Sequence, residues 1–289
     1  EYVVLDGAKA LALPTKFGQS LTVEPINEPK LFWKSIGHNG SIWFEDEFSI
    51  NEIATTQAPR NDISIRLFEI LNAAKKLNTD FLSTNGGFNI TTKLNFPENW
   101  GLGSSSTLIN NIANWANVNP YDLLELTFGG SGYDIACAQN NNPITYEINQ
   151  VDNIRVINSV DFSPSFKEAL FFVHLNKKQN SRDGIIRYNS NKNNLTLTIT
   201  DINKISDAFI KCQTISEFES LIQKHEQIIS KLINLPTVKS SLFSDYSGAI
   251  KSLGAWGGDF ILATGSYSDI DYFKQKGYQT IIPYHEMIL

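Results

Sequence analysis

The chain has 289 residues and a mass of 32.4 kDa, enough for one large or two modest domains. Hydrophobic residues make up 42% and charged residues 19%, globular values that set aside disordered and fibrous classes. A net charge of −6 and a pI near 5.3 argue against nucleic acid or an anionic membrane as the main partner. Cys137 and Cys212 are the only cysteines, so a disulfide framework is not expected and a reducing compartment is. No apolar run reaches the roughly 18 residues of a membrane span, and no signal peptide is visible. The expectation is a soluble, cytoplasmic protein, monomeric or homodimeric.

In chain order, Ala8 to Leu13, Ser20 to Ile26, Lys30 to Ile36 and Ser41 to Phe48 read as short strands. His38-Asn39-Gly40 marks a hairpin between the last two, because Asn-Gly tolerates the positive φ of such turns. Asn61 to Leu77 carries Ile63, Leu67, Ile70, Leu71 and Ala74 at helical spacing. Asn89 to Phe96 alternates like a half-buried strand, and Pro97 ends it for want of an N–H. Leu108, Ile109, Ile112, Trp115 and Ala116 then predict a helix, and Asn119-Pro120 starts another with an N-cap and a first-turn proline. Ile144 to Ile148 and Ile154 to Ile157 return to strands. After about residue 160 the pattern becomes an apolar strand, Leu170 to Leu175, followed by several helices. Thr214-Ile215-Ser216-Glu217 is a capping box opening a helix to about Ile233. A further helix is expected to lead to Gly254, then strand Phe260 to Thr264, a short helix and strand Tyr278 to Tyr284.

Three glycine-rich clusters carry the chemistry. The first is Pro97-Glu98-Asn99-Trp100-Gly101-Leu102-Gly103-Ser104-Ser105-Ser106, between a strand and an apolar helix. A helix start leaves backbone N–H groups unpaired and carries about half a positive charge, which suits phosphate. Gly101 and Gly103 remove side chains where a polyphosphate must approach the backbone. An ordinary serine-capped helix after a glycine turn is the competing reading. There is no Gly-Lys-Ser/Thr, so this is not a Walker loop. A dinucleotide fingerprint is also disfavoured: Ser106 stands for its third glycine, Asp122 lies near the place of its ribose-binding acid, but Pro97 separates strand from loop. The second cluster is Gly129-Gly130-Ser131-Gly132-Tyr133-Asp134-Ile135-Ala136-Cys137, in which Asp134 is either a reactive carboxylate or simply a helix N-cap. The third, Gly254-Ala255-Trp256-Gly257-Gly258-Asp259, is either a ligand loop or a glycine C-cap and turn.

The order and spacing of these clusters resemble the GHMP kinases, the superfamily of galactose, homoserine, mevalonate and phosphomevalonate kinases. Pro97 to Ser105 matches the family's Pro-x-x-x-Gly-Leu-Gly-Ser-Ser-Ala motif, with Ser106 in place of alanine. Glu1 to Ala12 resembles its opening Gly-Glu-His/Tyr-x-Val-Leu-x-Gly segment. Gly130 to Asp134 resembles the Ser-Gly-x-Asp element, in the form closest to phosphomevalonate kinases, and Lys251 to Asp259 resembles the third motif. The Gly-Tyr-Asp-Ile-Ala string at 132–136 is similar to that of a bacterial subgroup known by it.

The resemblance implies a two-domain α/β (α+β) GHMP kinase fold with a nucleotide cleft between the domains. It puts an ATP-binding domain at 1–160 and a ferredoxin-like α+β domain at 161–289. It implies ATP and Mg2+ as cofactors, with Gly101, Leu102, Gly103, Ser104, Ser105 and Ser106 around the phosphates. It further implies Ser105 and Glu125 as metal ligands and Asp134 as the catalytic group that takes the acceptor's proton. The acceptor side falls to Ser131, Gly132, Arg182, Gly257 and Gly258. Lys177, Lys178 and Arg182 crowd one loop, where cations could neutralise a carboxylate or phosphate. The chain departs from the family at two points. The family's catalytic lysine precedes the Gly-Glu of the first motif, whereas Lys9 follows it, and Trp256 replaces a glycine, which could narrow the pocket or change a nucleotide contact. The expected function is transfer of the γ-phosphoryl group of ATP to a small anionic acceptor, foremost mevalonate or phosphomevalonate. Diphosphomevalonate decarboxylation, homoserine or sugar phosphorylation, and a non-catalytic binder on a kinase fold are the alternatives.

Overall fold

The computed structural model describes residues 2–50, 53, 62–266 and 268–289. Glu1 of the first motif and Asn61 at the expected start of the first helix lie outside them. The elements run β1 (Ala10–Ala12), β2 (Gln19–Ile26), β3 (Lys30–Ile36), β4 (Ile42–Ser49), α1 (Asp62–Leu77), β5 (Gly87–Leu94), α2 (Ser104–Ala116), α3 (Pro120–Thr127), α4 (Tyr133–Ala138), β6 (Ile144–Ile148) and β7 (Arg155–Ser159). They continue with β8 (Leu170–His174), α5 (Ser181–Asn191), α6 (Thr196–Lys211), α7 (Ile215–Ile233), α8 (Val238–Leu242), β9 (Ile250–Ser252), β10 (Phe260–Thr264), α9 (Asp269–Gln275), β11 (Ile281–Pro283) and α10 (Tyr284–Met287). The chain forms two compact units that interleave in sequence: residues 17–98 with 103–139, and residues 1–16, 99–102 and 140–289.

The first of these units is a four-stranded mixed sheet in the order β2-β5-β3-β4. β3 runs parallel to β5, while the β2–β5 and β3–β4 pairs are antiparallel. Pro25 is tolerated because β2 is an edge strand. α1 and α2 turn Leu67, Ile70, Leu71, Ala74, Ile109, Ile112 and Ala113 into a core shared with Leu31, Trp33 and Ile90 of the sheet. Trp115 closes one side of that core, meeting Phe81 and Phe88 edge-on at 4.8 and 5.4 Å.

The other unit holds two sheets, β1-β6-β7 and β11-β8-β10-β9. In the four-stranded sheet every pairing is antiparallel, and the succession strand, helices, two strands, helix, strand with that order is the ferredoxin-like split βαβ arrangement. β8 and β10 are buried along their whole length, which is why both read as unbroken apolar runs. The three-stranded sheet, a 3-10 turn at Tyr2–Asp6 and helices α5–α7 enclose a further core of Tyr2, Val3, Ala8, Tyr188, Ile202, Ile229 and Trp256.

The helix expected to lead to Gly254 ends well short of it. α8 stops at Leu242, and Ile250–Ser252 instead becomes strand β9, paired with β10 at Ile261, Leu262 and Ala263. The edge of β10 needs a partner for its backbone groups, and that demand overrides a weak local helical pattern. Strands expected at 8–13 and 278–284 shorten to β1 and β11, the second because Tyr284 opens α10.

Candidate active site

After β5 the chain passes Pro97 and makes a 3-10 turn at Glu98–Trp100. Within its unit this turn is anchored: the Asn99 carbonyl lies 3.3 Å from His174 Nε2, and Trp100 packs edge-on against Phe260 at 5.4 Å. Gly101 and Gly103 follow with φ of 67° and 72°, left-handed values that favour glycine. Gly103, not a serine, is the N-cap of α2, and it offers no side chain to the first N–H groups. Ser104, Ser105 and Ser106 are therefore the first three helical residues. The serine-capped reading is not realised, and the donors at the helix start are left for an anion. Ser105 is exposed, while Ser104 and Ser106 are half-buried. Thr107 ties the first turn down, donating through Oγ1 to Gln19 Oε1 and to the Ser104 carbonyl, each at 3.0 Å.

In the same unit Asp134 comes up against Gly103. A methyl group on Gly103 would lie 3.4 Å from both Cβ and Cγ of Asp134. Gly132, with φ of 84°, is the N-cap of α4, so Asp134 sits inside the helix rather than capping it. Glycine is required there twice over, since a Cβ would also meet the Tyr121 ring at 2.9 Å. Burial pushes the Asp134 carboxyl up to about 6. Cys137, one turn along α4, is pushed up to about 12 by burial and by the Asp134 charge, which makes it an inert thiol.

In the other unit the third cluster meets the start of the phosphate loop. A methyl group on Gly101 would overlap the Asp259 carboxylate. Asp259 is 6% exposed and holds φ of 52°. It receives a hydrogen bond from Gln179 N–H to Oδ1 at 3.3 Å, and its own N–H donates to the Lys177 carbonyl at 2.8 Å. Burial raises its pKa, against the Gln179 hydrogen bond and the charges of Lys178 and His174. The loop carrying Lys177 and Lys178 is thus fastened to Asp259. Asp259 went unassigned in the sequence reading, although Gly101 signalled a close approach without saying of what.

Trp256 does not face a ligand. Its indole is buried, Nε1–H donates to the Pro236 carbonyl at 3.0 Å, and its backbone N–H donates to Tyr2 Oη at 2.9 Å. The wide apolar ring fills a core, so the idea that it narrows the pocket is corrected. Arg182 lies not in the basic loop but in the first turn of α5, exposed, its N–H bonded to the N-cap Asn180 at 3.0 Å. Lys9 is held by Asp207 of α6 at 2.8 Å. Glu125 is exposed on α3, Ser131 is half-buried, Gly257 is half-buried and Gly258 is buried. Among the described residues no three His, Cys, Asp or Glu side chains converge on a common point. The start of α2 nevertheless suits a phosphate: Gly103 clears the backbone, the first-turn N–H groups have no side-chain cap, and the exposed Ser105 hydroxyl is a hard oxygen donor.

No protein-family sequence model matches the chain, and no curated protein matches it by sequence. Solved structures do match. The Streptococcus pneumoniae phosphomevalonate kinase in complex with phosphomevalonate and AMPPNP is 16% identical, with a TM-score of 0.68 over 97% of this chain and 95% of that one. The Methanococcus jannaschii mevalonate kinase is 16% identical, with a TM-score of 0.67 over 98% and 92%. The Lactococcus lactis galactokinase complexed with galactose is 12% identical, with a TM-score of 0.62 over 96% and 84%. The fold is that of the GHMP kinases. No helix among the described residues is long and apolar enough to cross a membrane.

Proposed function

We propose that the protein is an ATP- and Mg2+-dependent kinase of the GHMP class that phosphorylates a small anionic alcohol or phosphate. The observation that carries this is the placement of the Asp134 carboxylate against Gly103, the residue that caps the phosphate-loop helix. With its carboxyl near 6, Asp134 is ionised at neutral pH and basic enough to take the proton of an attacking hydroxyl. The N–H groups of Ser104, Ser105 and Ser106 hold the phosphates, and the Ser105 hydroxyl, with Glu125, ligates the metal. Magnesium nucleotide bound there supplies the γ-phosphoryl group and neutralises its charge. Ser131, Gly132, Gly257 and Gly258 line the acceptor, and Arg182 supplies a cation for its anionic group. Residues 1–160 then serve as the nucleotide-binding part and 161–289 as the second domain, in a cytoplasmic enzyme. Mevalonate or phosphomevalonate is the leading acceptor, supported by the Gly130–Asp134 element and by a shared fold with kinases of both compounds.

The test is coupled ADP release from Mg-ATP with mevalonate, phosphomevalonate, homoserine and galactose, in wild type and Asp134→Asn. Turnover with one acceptor that falls by ~100-fold or more in the variant is expected. ATP binding without turnover on any acceptor, and no effect of Asp134→Asn, would instead identify a non-catalytic binder. Release of carbon dioxide would identify a decarboxylase.

A further inference from the structure

A sheet edge presents a row of backbone donors and acceptors, and folded proteins guard such edges with proline, charge, irregular register or shortness. The sheet edges of this chain are guarded in these ways with one exception. β2 carries Glu24 and Pro25, while β4 carries Glu45, Asp46 and Glu47 and pairs through a register shift at Ser35/Ile36. β1, β9 and β11 have three residues each. β7 has five, contains no proline, lysine or acid, and pairs with β6 without a register shift. Its other side bears no strand among the described residues. The Asn149 N–H donates to the Ile154 carbonyl and the Val160 N–H to the Pro143 carbonyl, each at 2.9 Å, so Ile154, Val156, Asn158 and Val160 bond towards β6. Ile157 and Ser159, which alternate with them, turn their N–H and C=O groups outward. The same hairpin exposes Val151 by 95%, Ile154 by 58% and Val156 by 42%, an apolar patch rather than scattered single side chains.

We propose that the protein forms a symmetric dimer in which β7 pairs antiparallel with β7 of a second copy, Ile157 opposite Ile157, joining two three-stranded sheets into one of six strands. This register sets Val156 opposite Asn158 and Ile154 opposite Val160 of the second copy, so the exposed apolar groups meet apolar or neutral ones. It also makes the charges complementary. Arg155 holds its guanidinium beside Asn153, donating to that carbonyl at 2.9 Å, and Asn153 is the residue that comes opposite the exposed Asp161 of the second copy. The two-fold axis forms this opposite-charge neighbour twice, and no like charges stand directly opposite each other. Pairing about a two-fold axis consumes the edge, so association stops at two chains.

The test is analytical ultracentrifugation of the full chain, wild type and three variants, with a circular-dichroism melt of each. Wild type is expected to sediment at twice the chain mass of 32.4 kDa. Ile157→Pro removes an N–H that points away from β6, so it should leave the hairpin folded and yield a monomer. Val156→Lys, on an exposed side chain, guards the edge with a cation and serves should the proline variant not fold. Asp161→Lys sets a cation near Arg155 of the second copy and is expected to weaken association about tenfold. A monomeric wild type, or assembly beyond two chains, overturns the proposal. So does a wild-type dimer that survives Val156→Lys and Asp161→Lys undiminished, because its interface then lies elsewhere.

Discussion

Replacing Asp134 by Asn should raise stability while removing turnover, because the folded protein holds this carboxylate at a disadvantage. Its carboxyl is raised from 3.8 to about 6, a difference of roughly two units. At about 1.36 kcal/mol per unit, ionising Asp134 in the folded state carries a penalty of at most about 3 kcal/mol. The residue keeps partial exposure, so solvent screening reduces the expected gain to about 1–2 kcal/mol. In a chain of this size that corresponds to a melting temperature about 2–3 °C higher for Asp134→Asn. The sign fixes the pH dependence. Above about 6 the wild-type carboxylate is charged when folded and pays the full penalty, so the variant's advantage is largest. As pH falls from about 6 towards 3.8 the folded wild type takes up its proton and the advantage fades, to vanish below 3.8.

Thermal melts of both proteins between pH 4.5 and 8 read this difference directly. The same carboxyl should shape turnover: kcat/KM is expected to fall as pH drops through about 6, where Asp134 loses its capacity as a base. A variant no more stable than wild type at pH 7–8, or a gap that does not change with pH, would refute the claim that burial disfavours this charge.

Two substitutions test the scaffold around the site. Gly132→Ala forces a side chain into a left-handed φ of 84° and against Tyr121, and should cost about 2–3 kcal/mol by chemical denaturation. A loss below about 0.5 kcal/mol would mean that α4 starts differently. Trp256→Ala should cost about 3–5 kcal/mol as a core truncation, while Trp256→Phe, which keeps most of the ring but loses the hydrogen bond to Pro236, should cost only about 1 kcal/mol. Equal, small losses in both would place the indole outside the core.

What the sequence determined by itself is the chemistry that acts over a few residues. Asn39-Gly40 turns β3 into β4, Asn119 and Pro120 start α3, and Thr214 with Glu217 closes a complete capping box on α7. Each depends on backbone donors and torsions within one turn, so residue types at fixed spacing suffice. The same holds for the start of α2 after Gly101 and Gly103, although only the coordinates show that Gly103 takes the cap and leaves the three serines inside the helix. Tertiary structure alone decided the rest. It set Asp134 against Gly103 and Asp259 against Gly101, buried Trp256 beneath Tyr2 and Pro236, and made a strand of Ile250–Ser252. These contacts join residues far apart in the chain, where burial and the pairing of strand edges outweigh local preference.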